Sequence, residues 1–146
     1  ALGRALAPAC ELLMARKKGY KVDFGGGRVL ALPYRLLAHS AFDNLTPKAI
    51  AVLIKLARNY NGRNNGDLSC TAEMLAKGRP MDAKTLASAL QELLDAGLIV
   101  RTREYRKGRE RGMARCALYA ITWAAIDECP GKDLEVRPGP PTFKFI

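Results

Sequence analysis

Apolar positions at helical spacing predict a first long helix in the middle of the chain. It begins at Thr46-Pro47, where threonine can cap the helix and proline can occupy the first helical position without losing a hydrogen bond. The turn-forming residues 61–66, rich in asparagine and glycine, should end it. Its expected core face consists of Ile50, Leu53, Ile54, Ala57 and Tyr60.

A second helix of the same kind is predicted to begin with Asp82 as its cap and to end at Gly97. Its apolar stripe, which must face a core, consists of Leu86, Ala89, Leu90, Leu93 and Leu94. The opposite face is polar and consists of Lys84, Ser88, Gln91 and Asp95. Between the two helices we expect a very short strand at residues 67–69, a short helix from Ser69 or Cys70 to Gly78, and a tight connection.

Beyond Gly97 the pattern favours strands. Residues 98–105 and 116–123 are rich in β-branched and aromatic residues and predict a hairpin. Its connection, residues 106–115, contains two glycines and is predominantly basic. From residue 101 to residue 115 there are seven basic and two acidic side chains, a net charge of +5, so we expect this connection to project into solvent.

The two ends of the chain lack such patterning. A short helix is possible within residues 1–22, Gly25–Gly27 marks a turn or linker, and an extended segment should follow as far as Pro33. The Pro/Gly-rich end is predicted to be an arm or partly disordered. We therefore expect an N-terminal arm over residues 1–45, one folded domain over residues 46–127, and a tail over residues 128–146.

The order of these elements is that of an α+β winged helix-turn-helix, with a three-helix core and a β-hairpin wing. Such a fold presents one helix to the major groove of DNA while the hairpin reaches the neighbouring backbone or minor groove. The net charge of +10 fits a polyanionic partner, nucleic acid first, although basic charge can also serve solubility alone.

Three segments carry a resemblance to a known group of proteins. Residues 60–69 (YNGRNNGDLS), 85–99 (TLASALQELLDAGLI) and 118–123 (LYAITW) resemble winged-helix proteins of phages, plasmids and integrated elements, over about residues 29–127. Members of that group are commonly transcriptional regulators or replication-associated DNA-binding proteins. The resemblance therefore implies DNA binding more firmly than any one pathway.

Candidate contacts follow from this interpretation. The N-terminal part of a recognition helix reaches base edges, which selects Lys84, Thr85, Ser88 and Gln91. The expected wing contacts, to backbone or minor groove, are Arg101, Arg103, Arg106, Lys107, Arg109, Arg111 and Arg115. Lys77 and Arg79, at the turn between the two later helices, are expected to contact phosphate. The alternative for each is an ordinary solvated surface.

Several polar and aromatic residues are expected to be structural. Asn64 and Asn65 suit a turn better than a ligand site, and His39 suits a surface or locally hydrogen-bonded position. Tyr119 and Trp123 share a strand face and should pack in the core.

Other chemistries find little support in the sequence. There is one histidine, the four cysteines form no closely spaced pair, and no catalytic triad or distinctive carboxylate pair is recognisable. We therefore expect no enzyme, no metal, no cofactor and no small-molecule substrate. Apolar runs are too short for a membrane-spanning helix and no clean signal peptide is recognisable, so a cytoplasmic protein is expected.

The leading hypothesis is thus a sequence-specific protein that binds double-stranded DNA and regulates transcription in a mobile genetic element. A homodimer is expected, since one winged helix reads only a few base pairs. Two alternatives remain open: a replication or maintenance protein bound to origin repeats, and a protein-interaction module that uses the same scaffold.

Overall fold

A computed structural model describes residues 22–70, 81–105 and 116–145 of the chain. The chain divides into two units, Ala1–Leu32 and Pro33–Ile146. The regular elements of the described residues are α1 (Tyr34–Leu37), α2 (Ser40–Asp43), α3 (Pro47–Ala57), α4 (Ala83–Asp95), β1 (Ile99–Arg103) and β2 (Leu118–Ile121). The mixture of helices with an antiparallel sheet confirms the α+β class. None of the helices seen in these residues has the length and apolar character needed to cross a bilayer.

In the first unit, the three glycines form the predicted turn. The Asp23 carboxylate accepts a hydrogen bond of 2.8 Å from the Gly25 N–H. Gly25 and Gly26 have φ values of 69° and 73°, a region that glycine adopts without steric cost. The pattern of residues therefore identified this turn correctly.

The two helix starts were predicted correctly, and so was the apolar stripe of α4 except at Leu94, which is half-buried. Thr46 caps α3 by accepting from the Ala49 N–H at 3.3 Å, and Asp82 caps α4 by accepting from the Thr85 N–H at 2.6 Å. The buried residues of α4 are Leu86, Ala89, Leu90 and Leu93. In α3 the buried residues are Ala49, Val52, Leu53, Leu56 and Ala57.

The prediction that Ile54 faces the core is wrong, because this residue is 38% exposed. The buried side of α3 is centred on Ala49, Leu53 and Leu56. At about 100° per residue, Ile54 lies more than a quarter turn away from that centre.

Two short helices precede α3 that the pattern did not predict. Pro33 leads directly into α1, and His39 caps α2 with its Nδ1 atom, which accepts from the Ala41 N–H at 3.0 Å. Leu36 of α1 is completely buried. Each helix has four residues, which is too few to show a 3.6-residue period. His39 is locally hydrogen-bonded, as expected.

The hairpin forms as predicted, with shorter strands. Ile99 pairs with Ile121 and Arg101 with Tyr119, and the register shifts before Arg103. The very short strand expected before it is a single bridge, in which Leu68 exchanges hydrogen bonds of 2.7 and 3.1 Å with Tyr119. Tyr119 is buried, as expected for a core position.

The Pro/Gly-rich end folds back onto the hairpin. Ile126 and Gly139 form an antiparallel bridge, and the Phe143 N–H donates to the Thr122 carbonyl at 2.9 Å. The Glu135 N–H donates to the Thr102 carbonyl at 2.7 Å. The expected arm therefore extends the hydrogen bonding of the sheet region instead of projecting from it.

Candidate nucleic-acid interface

The polar face of α4 is presented to solvent by the packing of its apolar stripe. Since the apolar stripe from Leu86 to Leu93 is buried, Lys84, Ser88 and Gln91 on the opposite side are exposed, and Thr85 at the margin is half-buried. The structure thus places all four predicted recognition residues along one edge of one helix.

Capping of α4 engages one of these four residues. The Asp82 carboxylate accepts a hydrogen bond of 2.6 Å from the Thr85 N–H, and the interactions with Thr85, with a smaller effect of Lys48, lower the pKa of Asp82. The ionised carboxylate also suits the positive end of the helix dipole. Thr85 therefore holds the start of the helix, which leaves Lys84 and Ser88 as the unengaged polar groups of the first turns.

A glutamate of α4 fixes the beginning of α3 beside it. Glu92 accepts from the Thr46 N–H at 3.1 Å and from the Thr46 hydroxyl at 2.7 Å. This pair of bonds ties the cap of one helix to the third turn of the other. The result is an open groove of about 1010 Å³, lined by Thr46, Pro47, Lys48, Lys84, Thr85, Ser88, Ala89, Gln91, Glu92 and Asp95.

The groove carries two lysines and two carboxylates. Both lysines are exposed and stand at the second position of their helices, Lys48 in α3 and Lys84 in α4. Neither helix has an acidic residue in its first turn, although a carboxylate there would stabilise it. Asp82 caps α4 and the Glu92 carboxylate bonds to Thr46, the cap of α3, so each helix start already has a carboxylate beside it. Lys48 and Lys84 are the two cations at this end of the groove that can contact an external anion.

The far end of the groove is less suitable for phosphate. Gln91 donates from Nε2 to the Asp95 carboxylate at 2.8 Å, so the expected base-reading amide is held by its own helix. Asp95 is exposed and would repel a nearby phosphate. The region that can accept an anion is therefore the part from Lys84 to Ser88, with Lys48.

The two hairpin arginines that the structure describes have different environments. Arg103 is 6% exposed and donates at 2.8 Å to the carbonyls of both Lys132 and Cys116. Arg101 is one-third exposed, lies over the Tyr119 ring at 5.7 Å and pairs with Glu104 at 3.3 Å. The guanidinium of Arg103 joins the hairpin to the C-terminal segment and is buried there, so this residue is not part of the candidate interface.

The remaining predicted contacts lie outside the described residues. They are Lys77, Arg79, Arg106, Lys107, Arg109, Arg111 and Arg115. The short helix expected from Ser69 or Cys70 to Gly78 falls mostly in the same part of the chain; of its residues the structure describes Ser69 and the buried Cys70.

Sequence reasoning missed Lys48 as one of the two cations that line the groove. Its position in the first turn of α3 was evident from Thr46-Pro47, but its distance from α4 depends on how the two helices pack. No signal in the local sequence shows that packing brings Lys48 next to α4.

The described residues contain no group of three or more side chains that could hold a metal ion. Comparison of the chain with known protein families, curated proteins and solved structures gives no match. The geometry of the groove and the charge of the chain are therefore the grounds for assigning a function.

Proposed function

We propose that this protein binds double-stranded DNA as a winged helix-turn-helix, with α4 as the recognition helix. The observation that carries the proposal is the exposed N-terminal edge of α4, where Lys84 and Ser88 lie beside Lys48 of α3. A buried stripe and two capped helix starts hold this edge rigidly, which is what reading of base edges requires.

The order and pairing of the elements support the same proposal. A helix, an extended residue paired with β2, a capped amphipathic helix and a hairpin follow one another in the order of a winged helix. The segment that joins the two strands holds four basic residues within residues 106–111. On this proposal it contacts the DNA backbone or minor groove next to the helix.

The two parts of the interface have different tasks. Lys48 and Lys84 contact phosphate or guanine, whereas Ser88 is the group able to select a base. The basic connection of the hairpin contributes affinity through release of counterions, with little sequence preference. We propose that sequence preference is restricted to a few base pairs, so that a homodimer on two half-sites is needed for a regulator.

The test is binding of the full chain to a pool of random duplexes, followed by anisotropy titrations on the selected site between about 50 and 200 mM salt. Lys48→Gln/Lys84→Gln should make the slope of log K against log salt shallower by about 1.8 and weaken binding to every sequence. Ser88→Ala should instead change the preference among sites. No binding at the lowest salt concentration would refute the proposal.

The biological setting is proposed as transcriptional regulation in a mobile element. Mapping of the bound sites in the source genome tests this proposal, because a transcriptional regulator would occupy promoters and a replication protein would occupy origin repeats. Enrichment at origin repeats would favour the replication role instead. Sedimentation of the protein with and without its selected duplex tests the homodimer.

A further inference from the structure

The exposed side of α3 carries a row of three cations, and only the cation at the N-terminal end of the helix lines the groove. Lys48, Lys55 and Arg58 are separated by seven and three residues. At about 100° per residue they lie within an arc of about 80°, and at about 1.5 Å per residue the row is about 15 Å long. We call these three residues the α3 row.

The α3 row has no compensating charge on its own helix. The sequence of α3 contains no acidic residue, and none of the three cations forms an ion pair with another residue in the described parts of the chain. Lys48 and Arg58 are exposed and Lys55 is half-buried. Ala51, which lies between them on the same side, is exposed and small, so it leaves the row accessible.

Helix stability explains only part of this arrangement. Cations in the last turn, such as Lys55, interact favourably with the helix dipole. Lys48 in the first turn has the opposite effect. The row is basic at the C-terminal end of the helix, where cations are stabilising, and also at the N-terminal end, where they are destabilising. Binding of an extended anion explains both ends, whereas helix stabilisation explains only one.

The row is continuous with the proposed interface at one end and lies near Cys70 at the other. Lys48 lines the groove together with Lys84. Lys55 and Arg58 lie close enough to the Cys70 thiol to counteract the increase in its pKa that burial causes. Cys70 is followed directly by the segment that contains Lys77 and Arg79.

We propose that the α3 row is a phosphate track, which contacts the backbone of the same duplex as it leaves the groove at α4. The proposal rests on the proposed function. Phosphates of one strand rise about 3.4 Å each along the duplex axis, so a row of about 15 Å is long enough to contact more than one phosphate. The track adds affinity and orientation and contributes nothing to base preference.

The experiment compares two double variants of the full chain that lose the same charge. Lys55→Gln/Arg58→Gln removes the part of the row outside the groove, and Arg137→Gln/Lys144→Gln removes two exposed cations of the C-terminal segment. Both are titrated by anisotropy against a selected duplex of about 30 base pairs, between about 50 and 200 mM salt. The charge-retaining variant Lys55→Arg/Arg58→Lys controls for the structural role of the two side chains.

The row variant should make the salt slope shallower by about 1.8 and weaken binding roughly 60-fold at about 0.1 M salt. The single variants Lys55→Gln and Arg58→Gln should each reduce the slope by about 0.9. The charge-retaining variant should keep the parent slope, and the preferred site should stay unchanged in all of them. Because the single variants perturb α3 least, they remain informative if the double variant unfolds.

Equal slopes for the row variant and the C-terminal variant would overturn the phosphate track. That outcome differs from failure of the proposed function, in which the parent chain itself would not bind DNA at low salt. Parent binding that is lost in Lys48→Gln/Lys84→Gln but retained in the row variant would leave the groove as the interface and refute the track alone.

Discussion

Asn65 joins the turn after α3 to the end of the hairpin, and replacing it with alanine should destabilise the protein more than the same substitution of its neighbour Asn64. Its side chain is completely buried. Nδ2 donates to the carbonyls of Ile121, Ala124 and Ala125 at 3.0, 3.2 and 2.8 Å, and Oδ1 accepts from the Ile121 N–H at 2.8 Å. The side-chain amide of Asn65 thus supplies hydrogen-bond partners to the backbone groups at the point where β2 ends.

The expected loss of stability for Asn65→Ala is about 2–6 kcal/mol. The substitution leaves the N–H and carbonyl of Ile121 buried without a partner, at a cost of about 1–3 kcal/mol for each such group. The exposed Ala125 carbonyl can bond to water instead, so it adds little. Asn65→Asp should be worse at neutral pH, since a carboxylate would face three carbonyl oxygens in a buried site.

The neighbouring asparagine provides the matched control. Asn64 also makes two hydrogen bonds, to the Asn59 carbonyl and from the Asn61 N–H, each of 2.8 Å, but these lie within the turn and the side chain is half-exposed. Asn64→Ala should therefore cost about 1 kcal/mol. Urea denaturation with an unchanged m value measures both differences. If Asn65→Ala and Asn64→Ala differ by less than about 1 kcal/mol, the proposed role of Asn65 is wrong.

Three further predictions concern the hairpin and α4. Arg103→Met should lower the free energy of unfolding by about 2–4 kcal/mol, whereas Arg101→Met should lower it by less than about 1 kcal/mol; equal losses in thermal unfolding would contradict the packing role of Arg103. Asp82→Ala should destabilise the protein near neutral pH, and because the folded-state pKa lies below 3.8, its difference from the parent should shrink as the pH falls below that value. A difference that persists in acid would argue against an ionised cap. Asp95→Asn should strengthen DNA binding in anisotropy titrations at low salt, since it removes a carboxylate from the groove; unchanged affinity would place the duplex away from Gln91.

The two arginines of β1 show how far strand pattern can mislead. Arg101 and Arg103 are two residues apart, so regular alternation predicts the same face for both side chains. The shift of register between them breaks that alternation. As a result, Arg103 is buried against the C-terminal segment while Arg101 stays partly exposed. A bulge depends on pairing with the other strand, and neither strand contains a signal for it.

Local signals determined the parts of this protein that depend on a few neighbouring residues. The caps at Thr46 and Asp82, the apolar stripe of α4 and the glycine turn are short-range features, so the sequence was sufficient to place them. The polar edge of α4 followed from its stripe in the same way. The net charge of +10 is likewise a property of the sequence.

Tertiary structure alone decided which groups meet. Glu92 reaches Thr46, Lys48 joins the groove, Asn65 satisfies the end of β2, and the C-terminal segment bonds to the hairpin across distances of tens of residues in sequence. Each contact depends on the packing of elements that are separate in sequence, for which period and propensity carry no information. The amphipathic α4 could therefore be predicted from the chain, but the lysine that α3 places beside its polar edge could be identified only after the helices had packed.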